Sequence, residues 1–557
     1  MKQVYKTFFL CLLTSVFCVP SSYSQNPLAK QWDARFGGSA IENLFAFQQT
    51  IDGGYILGGI SYSGISGDKT QASQGASDYW VVKIDGLGAL QWEKRFGGSD
   101  ADALHAVQQT FDGGYILGGY SQSGISGDKT QANLGMNDYW MVKIDSLGAK
   151  QWDKTFGGTG NDALYAIQQT TDGGYLLAGF SGSGISGDKT TPLWDTCLSC
   201  VVRSDYWIVK TDSAGMYQWD KDFGGLNIDN LYAIQQTADG GYLLGGYSFS
   251  GIGGDKTQLS IGENDLWIVK TDSLGNYQWD KDFGGTDDDY IFSLQQTTDA
   301  GYILGGISFS GIGGDKTQPL WDTCISCIYR SDYWILKTDS LGTKQWDRDF
   351  GGFSLEDDFG AVSQTADGGY LLCGTSYSPL SGNKTENNLG AEQSWIVKTD
   401  ALGILEWDKT IFTTGHDEHN FAIQTLDGCY AIANYTSGGI GGYKSQPSQG
   451  FEDYWIVKFC DSTEATSITQ LPQLPDHPIT ISPNPLTTES KLTFKNPDKE
   501  KFLFNLYDIT GRITESVSTT NNEIVLTKGS KHPGVYLFNL VNEKNGEKWN
   551  GKIIIAN

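Results

Sequence analysis

Hydrophobic and polar residues alternate in short runs along most of the chain, and glycine-rich turns separate these runs. In one stretch, ALHAVQQT is followed by the turn FDGG, then by YILGGYSQS, a polar loop, DYWMVKID and KQWDKTFGG. Short alternating runs bounded by Gly, Asp and Asn are typical of β-strands. The stretch therefore predicts four strands. Glycine on both sides of these strands indicates that neighbouring layers of the protein cover both faces.

The four-strand unit recurs seven times. A QWD-like motif opens each copy, at residues 31, 91, 151, 218, 278, 345 and 406. The copies are 60 or 61 residues apart, except where a seven-residue insertion lengthens the step to 67. Seven units of four strands predict an all-β fold whose main part is a seven-bladed β-propeller. The last unit lacks its own QW strand, so we expect the first strand, QWDARF, to complete the last blade.

Tryptophan marks two positions of the unit. Of the seventeen tryptophans, seven belong to the QW motif and seven to a DYW-like motif. A large ring at the same place in every copy is what packing between blades requires, so we interpret both sets as structural. The sets are Trp32, Trp92, Trp152, Trp219, Trp279, Trp346 and Trp407, and Trp80, Trp140, Trp207, Trp267, Trp334, Trp395 and Trp455.

The two ends of the chain depart from the repeat. Residues 1–24 combine a charged start, an apolar run and a small-x-small site before Gln25, which predicts a secretory signal peptide. The propeller is expected over residues 25–461, a polar, proline-bearing linker over 462–477, and a small Ig-like β-sandwich over 478–557. No later apolar run approaches the ~20 residues of a membrane-spanning helix.

The net charge of −26 narrows the choice of partners. Nucleic-acid binding needs Lys and Arg facing the phosphates, and anionic membranes attract the same residues. The charge therefore argues against both partners. It suits a soluble surface protein, or one that meets cations.

Several motifs of the repeat resemble those of known families. The D-x-x-G-x-x-x-W turn, as in 272–279, resembles the tryptophan-docking turn of PQQ-type quinoprotein propellers, shortened by one residue. The T-x-D-x-G turn, as in 170–174, resembles the Asp-box of sialidase propellers. Both resemblances concern blade packing and imply no chemistry. The whole unit, DGGY…GDKT…DYW…QW, resembles secreted repeat proteins of Bacteroidetes, a family that implies no assigned activity.

The last eighty or so residues contain ISPNPL, YDITG and GVY in that order, and a lysine near the end. They closely resemble the type A sorting domain of the type IX secretion system. The resemblance implies that machinery as a partner, export through the periplasm and across the outer membrane, removal of the domain, and a secreted or surface-anchored product. The alternative is an accessory Ig-like module. The motif residues are Pro483, Asn484, Pro485, Asp508, Gly511, Gly534, Tyr536 and Lys552.

Seven cysteines remain once the signal peptide is removed, and an oxidising compartment favours disulfides. Cys429 and Cys460 fall at neighbouring ends of an antiparallel hairpin in the last unit, which predicts a disulfide that pins the last blade. Cys373 replaces a small residue in a buried strand and is expected to be a free thiol.

The two insertions, PLWDTCLSC and PLWDTCISC, each carry a C-x-x-C pair. We favour a small disulfide in each loop over one shared four-thiolate zinc site or a redox centre. The predicted bridges are Cys197–Cys200 and Cys324–Cys327. Trp194 and Trp321 lie in the same insertions and are candidate binding aromatics.

One carboxylate precedes the innermost strand of each blade. The set is Glu42, Asp102, Asp162, Asp229, Asp289, Asp357 and Asp417. As a ring around the central channel, these residues would offer oxygen ligands to Ca²⁺ or to a cationic ligand. Alternatively, each acid caps backbone N–H groups of its own blade. No cofactor other than this possible Ca²⁺ is predicted.

Two further polar motifs have structural interpretations. A second set of aspartates, each followed by a lysine, predicts a local turn with an ion pair. The set is Asp68, Asp128, Asp188, Asp255 and Asp315. The HDEH segment (416–419) lacks the spacing of a helical zinc motif, and we interpret it as a solvated loop.

These features favour a non-enzymatic, secreted or cell-surface propeller that binds a glycan, a polymer or a protein. The binding face would carry the FGG loops, the GDKT loops and the insertions. A polysaccharide hydrolase or lyase that uses carboxylates on that face is one alternative, although nothing selects one pair from many. A structural component of a surface coat is another. Catalysis would require polar residues unique to one blade, and only blades 6 and 7 differ enough from the others.

Overall fold

The computed structural model describes residues 28–194, 203–321, 330–354, 359–461, 479–482, 486, 488–497, 499–507, 513–529, 531, 534–542, 544 and 548–555. All regular secondary structure in these residues is β-strand. Accordingly, none of them belongs to a helix long and apolar enough to cross a membrane. The chain divides into two compact units, residues 1–462 and 463–557, which are described separately.

The first unit contains seven antiparallel sheets of four strands, which confirms the predicted seven-bladed propeller. The first strand of the chain is β1 (Leu28–Phe36). Blades 1 to 3 consist of β2 (Glu42–Gln49), β3 (Tyr55–Ser61), β4 (Asp78–Ile84) and β5 (Leu90–Phe96); β6 (Asp102–Gln109), β7 (Tyr115–Ser121), β8 (Asp138–Ile144) and β9 (Lys150–Phe156); and β10 (Asp162–Gln169), β11 (Tyr175–Ser181), β12 (Asp205–Thr211) and β13 (Tyr217–Phe223).

The remaining blades follow the same order from the innermost to the outermost strand. Blades 4 to 6 consist of β14 (Asp229–Gln236), β15 (Tyr242–Ser248), β16 (Asp265–Thr271) and β17 (Tyr277–Phe283); β18 (Asp289–Gln296), β19 (Tyr302–Ser308), β20 (Asp332–Thr338) and β21 (Lys344–Phe350); and β22 (Phe359–Gln364), β23 (Tyr370–Ser376), β24 (Gln393–Thr399) and β25 (Leu405–Ile411). Blade 7 consists of β26 (Asp417–Gln424), β27 (Tyr430–Thr436), β28 (Asp453–Asp461) and β1.

The ring is closed by its first strand. β1 pairs antiparallel with β28, so the beginning of the propeller supplies the outermost strand of blade 7, as predicted. A disulfide between Cys429 and Cys460 joins the start of β27 to the end of β28, with the two Cα atoms 4.4 Å apart, and confirms the second prediction for this blade. Cys373 is a buried free thiol, also as predicted.

The tryptophans hold neighbouring blades together. In blade 3, Trp207 is fully buried, and its Nε1 donates to Asp220 Oδ2 on the outermost strand at 3.0 Å. The Tyr139 hydroxyl of blade 2 donates to the Trp207 carbonyl at 2.9 Å, and the two rings are 4.7 Å apart. The QW tryptophans pack against the next blade's turn: a Cβ on Gly215, at φ +72°, would lie 2.8 Å from the Trp152 ring. Both sets of tryptophans are therefore structural.

Paired glutamines tie the inner strands to each other, a role that the sequence did not reveal. Between blades 2 and 3, Gln108 Oε1 accepts from the Gln169 backbone N–H at 2.6 Å. Gln169 Oε1 in turn accepts from the Phe111 N–H in the turn of blade 2 at 2.8 Å. The QQ motif thus places one hydrogen bond in each direction across a blade boundary.

The GDKT lysines are buried, and the expected pairing with the preceding aspartate is wrong. In blade 3, Lys189 forms its ion pair with Asp222 on the outermost strand and lies 5.8 Å from the centre of the Trp207 ring. Asp188 instead accepts from the Gly157 N–H. In blades 3 to 5 the lysine side chain thus extends into the blade and meets a carboxylate and an aromatic face. Lys69 and Lys129 of blades 1 and 2 bond to serine and threonine hydroxyls instead.

The second unit is a two-sheet β-sandwich. One sheet contains β29 (Ile479–Ser482), β30 (Glu489–Phe494) and β33 (Glu523–Thr527), and the other contains β32 (Ile513–Thr519), β31 (Phe502–Tyr507), β34 (Gly534–Asn542) and β35 (Lys548–Ile555). Among the sorting-motif residues, Tyr536 is buried in the core, Gly534 begins β34, and Lys552 lies in β35. Pro483, Asn484, Pro485, Asp508 and Gly511 lie outside the described residues, as does the predicted signal peptide.

Candidate functional site

A cavity of about 310 Å³ lies on the propeller axis, because every one of the seven inner strands contributes to its wall. The wall is largely aromatic. Its residues are Phe45, His105, Tyr165, Tyr232, Phe292, Phe359, Gly360, His419 and Phe421.

A β-bulge in the inner strand presents these side chains to the axis. In blade 1 the pairing of β2 with β3 shifts by one residue between Leu44 and Ala46, and Phe45 occupies the bulge. The inner strands of blades 2 to 5 shift at the same place. The bulge residues are Phe45, His105, Tyr165, Tyr232 and Phe292. A bulge redirects a side chain, so one residue per blade leaves the alternating pattern and faces the cavity.

The rings form a continuous arc over six blades. Centroid distances between neighbours are 5.0 Å for His419–Phe45, 4.9 Å for Phe45–His105 and 4.6 Å for His105–Tyr165. The arc continues with Tyr165–Tyr232 at 4.9 Å and Tyr232–Phe292 at 5.5 Å. Such contacts stabilise the ring orientations and produce a pre-formed apolar wall.

The pattern changes in blades 6 and 7, although β22 of blade 6 keeps the bulge and places Gly360 there. In β26 the irregularity spans two residues: His419 has φ +49° and lines the cavity, while Asn420 is fully buried. The Asn420 carbonyl then lies against Gly360 of blade 6, where a Cβ would be only 1.5 Å from that oxygen. Glycine is therefore required on the blade 6 side, and the arc opens there. A non-glycine residue at positive φ is costly and often marks a functional region.

The cavity has few polar groups. His105 Nε2 is buried and has no hydrogen-bond partner among the described residues. Burial lowers the pKa of His105 to about 3, so this imidazole is neutral at physiological pH. Burial also raises the pKa of Tyr165 above its ordinary value. A neutral histidine and tyrosine hydroxyls among aromatic rings can orient a ligand that is itself partly apolar.

A group of acidic residues and a histidine lies where blade 6 meets blade 7. His416 Nδ1 pairs with Glu392 Oε1, and Glu418 is within reach of both. Burial, together with the Glu418 carboxylate, raises the pKa of Glu392 to about 7, and Glu392 raises the pKa of His416. The interpretation of HDEH as a solvated loop is thus wrong for most of the segment: His416 is exposed, but Asp417–Gln424 is strand β26. The bulge in this strand explains why its sequence did not alternate.

The predicted acidic ring serves the blades. Asp102 is fully buried; its Oδ2 accepts from the Gly98 N–H at 2.7 Å and from Ser123 Oγ at 3.0 Å. Glu42, Asp162, Asp229, Asp289 and Asp417 are also fully buried and accept from donors of their own blade, and Asp357 lies outside the described residues. Burial raises the pKa of Asp229 and Asp289 to about 6. The geometry of these six matches the capping alternative.

Trp194 and Trp321 are 40% and 36% exposed. They stand at the start of the insertions, where their backbone N–H groups bond to Asp205 and Asp332. In other blades Leu134 and Ile261 bond in the same way, so the position is one of blade packing with a partly accessible ring. The cysteines of both C-x-x-C pairs lie outside the described residues.

Comparison with known proteins yields only distant structural similarities. No protein-family model and no curated protein matches the chain. Among solved structures, an apocarotenoid oxygenase of Synechocystis shares 10% identity with a TM-score of 0.36, over 91% of this chain and 97% of that one. PorZ, a surface component of the type IX secretion system of Porphyromonas gingivalis, shares 9% with a TM-score of 0.16, over 94% and 100%. A xylan β-1,4-xylosidase of Bacillus halodurans shares 11% with a TM-score of 0.27, over 70% and 90%. Similarities this low identify neither a family nor an activity.

The axial pocket was missed at the level of sequence, although a signal for it existed. Aligned on the inner acid, the third residue that follows is aromatic or histidine in blades 1 to 5. The residue type changes from blade to blade, whereas the structural positions are nearly constant. Variation at one column of an otherwise regular repeat was the available signal.

Proposed function

We propose that this protein is a secreted or cell-surface binding protein, exported by the type IX secretion system, that holds the end group of a glycan in its axial pocket. The observation that carries the proposal is the aromatic arc around that pocket. Export is supported by the motif resemblance of residues 478–557 and by the Cys429–Cys460 disulfide, which suits an oxidising compartment.

The lining of the pocket fits a sugar ring. Sugars present flat faces of C–H groups, which pack well on aromatic rings, and hydroxyls that need a small number of partners. The polar side chains that line the pocket, those of Tyr165, Tyr232, His105 and His419, are the candidates for such partners. A volume of about 310 Å³ suits one or two sugar units, at the small end of ligand pockets.

The hydrolase alternative has less support in the geometry. Two carboxylates that have no counterpart in blades 1 to 5, Glu392 and Glu418, have ligand oxygens within 4.8 Å of each other. Retaining glycosidases separate their two carboxyl groups by about 5–5.5 Å and inverting ones by about 6.5–9.5 Å. This separation is too short for an inverting mechanism, which needs room for a water between the carboxyl groups. Neither glutamate belongs to the lining of the axial pocket, where we place the sugar, so binding rather than hydrolysis is the function we propose.

The test is a glycan array probed with the mature full-length chain, followed by titration calorimetry with the best ligand. The double substitution Tyr165→Ala and Tyr232→Ala should weaken binding at least ~10-fold, which corresponds to about 1.4 kcal/mol. Phe111→Ala is the matched control, because Phe111 is 67% exposed in the turn after β6 and should not affect binding.

Three results would contradict the proposal. Unchanged affinity in a folded double variant would exclude the axial pocket as the site. Release of shorter sugars from a bound polymer would favour the hydrolase alternative. Failure to bind any glycan would favour a structural role in a surface coat.

A further inference from the structure

One position of the repeat bridges neighbouring blades and changes its chemistry only in blades 6 and 7. It is the residue immediately before the DYW motif, and its side chain reaches the next blade. Asn137 bonds to Asn161, Ser204 to Asn230, and Asn264 to Asp288. In blades 1 to 5 the residue is a neutral Ser or Asn, whereas blades 6 and 7 carry Glu392 and Glu452.

The two glutamates meet different partners. Across the boundary between blades 7 and 1, Glu452 Oε2 accepts from Asn43 Nδ2 at 2.7 Å, so the carboxylate has a neutral donor. Glu418 occupies in β26 the position that Asn43 occupies in β2, because each directly follows the inner acid. Across the boundary between blades 6 and 7, therefore, Glu392 faces a second carboxylate where Glu452 faces an amide.

The Glu392 carboxylate lacks the donors that other buried carboxylates have. Its side chain is 3% exposed, and His416 is its one hydrogen-bond donor among the described residues. Its other contact is the Glu418 carboxylate, which is an acceptor as well. A carboxylate that is buried to this extent, with a single donor and a second carboxylate beside it, is costly unless positive charge balances both carboxylates. The arrangement thus points to a cation between the two glutamates and the imidazole.

We propose that Glu392, His416 and Glu418 form a binding site for a divalent transition-metal ion, with Zn²⁺ as the best match. The ligand atoms lie within 4.8 Å of one another. Zinc binds imidazole nitrogen and carboxylate oxygen at about 2.0–2.2 Å, so tetrahedral ligand atoms lie about 3.4 Å apart. The hydrogen-bonded atoms of His416 and Glu392 would therefore separate slightly to admit the ion. His416 is 54% exposed, which allows both this adjustment and access for the ion.

The donor set selects the class of metal. One imidazole and two carboxylates suit Zn²⁺ or a neighbouring first-row ion, whereas Ca²⁺ prefers an all-oxygen set of six to eight ligands. The Tyr435 hydroxyl bonds to Glu418 Oε2 and would orient that ligand. Three protein ligands leave a coordination position open. The site adjoins the axial pocket, since His419, the next residue after Glu418, lines that cavity.

The experiment is a titration of the metal-stripped, full-length mature chain with Zn²⁺, with Co²⁺ as a spectroscopic probe. We expect the chain to bind an ion at this site. The spectrum of the Co²⁺ form should lack thiolate charge-transfer bands, which distinguishes this site from one formed by the C-x-x-C cysteines. Glu418→Asn should weaken binding at least ~10-fold, and Tyr435→Phe by a similar factor through loss of the orienting hydrogen bond. Glu418→Asn reproduces the Glu452–Asn43 pair, so the variant should fold. Glu386→Gln, in the same loop of blade 6, is the control.

A variant designed to create a second metal site provides an independent test. Ile41 pairs with Glu452 in blade 7, and Ile41 and Asn43 correspond to His416 and Glu418. The double variant Ile41→His and Asn43→Glu should therefore add a second equivalent of ion. The proposal is overturned if the wild-type chain binds no such ion, if it binds only Ca²⁺, or if Glu418→Asn binds Zn²⁺ as tightly as wild type. Binding of no ion would mean that a proton joins the two carboxylates. The outcome does not depend on the glycan proposal.

Discussion

His105 is a residue whose burial lowers the stability of the fold, and the fold tolerates this loss. Phe45 and Phe292 occupy the equivalent bulge positions in blades 1 and 5, so a hydrocarbon ring is sufficient for packing there. Histidine adds a buried Nε2 without a partner among the described residues. A buried polar group of this kind is destabilising, and its retention at one position of a repeat is consistent with a ligand contact.

The loss of stability that His105 causes should depend on pH. Burial lowers the pKa of His105 from its ordinary 6.5 to about 3. Between these values the unfolded chain binds a proton that the folded chain does not, so the free energy of unfolding falls as the pH drops below 6.5. His105→Phe removes this effect. At pH 5 the variant should gain up to about 2 kcal/mol over wild type relative to their difference at pH 7.5.

The measurement is urea unfolding of both proteins at several pH values. Groups that titrate in both proteins cancel in the difference between them. Tyr165→Phe is the control, because no group that titrates below pH 8 is removed and its effect should not vary with pH. A constant difference between wild type and His105→Phe from pH 7.5 to pH 5 would contradict the prediction.

At the scale of elements, local patterns predicted nearly every strand of the propeller. Each blade is built from hairpins that are close in sequence, so turn motifs and alternation were sufficient. The inner-strand bulges could not be predicted in this way, because a bulge interrupts alternation without a residue type of its own. The partners of the GDKT lysines could not be predicted for a related reason. Lys189 pairs with Asp222, which lies on a strand distant from Lys189 in sequence.

The disulfide cross-links blade 7, the same blade that the closing strand β1 completes. It encloses a loop of sequence separation 31. A cross-link of that length restricts the unfolded chain by up to about 3–4 kcal/mol. Cys429→Gly, which restores the residue found in most other turns, combined with Cys460→Ser, should therefore lower the free energy of unfolding by ~2–4 kcal/mol. Unfolding in guanidinium under oxidising conditions measures the difference.

Reductant provides the control for this prediction. It should destabilise the wild-type protein by a similar amount and leave the double variant nearly unchanged. If both proteins respond equally, the stabilisation comes from the cysteines of the insertions instead.

At the scale of the molecule, the repeat explains both what the sequence could predict and what it could not. Seven similar units determine blade number and closure, because neighbouring blades share one set of contacts. The opening of the aromatic arc and the candidate metal site arise where that regularity fails, at Gly360, Glu392 and His419 in blades 6 and 7. These residues come together because blades 6 and 7 are neighbours and because β26 is distorted, and only three-dimensional geometry reveals that distortion.

The two-unit organisation leads to a prediction about export. If residues 478–557 act as a sorting domain, a chain that lacks them should cross the inner membrane and accumulate in the periplasm of a bacterium with a type IX secretion system. The propeller has its own core, its own closing strand and its own disulfide, so the truncated protein should still fold there. Fractionation followed by immunoblotting measures its location, and resistance to protease measures its folding.

Tyr165→Ala in the full-length chain is the control and should reach the surface normally, because export depends on the second unit and not on the axial pocket. Surface display of a folded, truncated chain at the full-length level would show that the C-terminal β-sandwich is an accessory module.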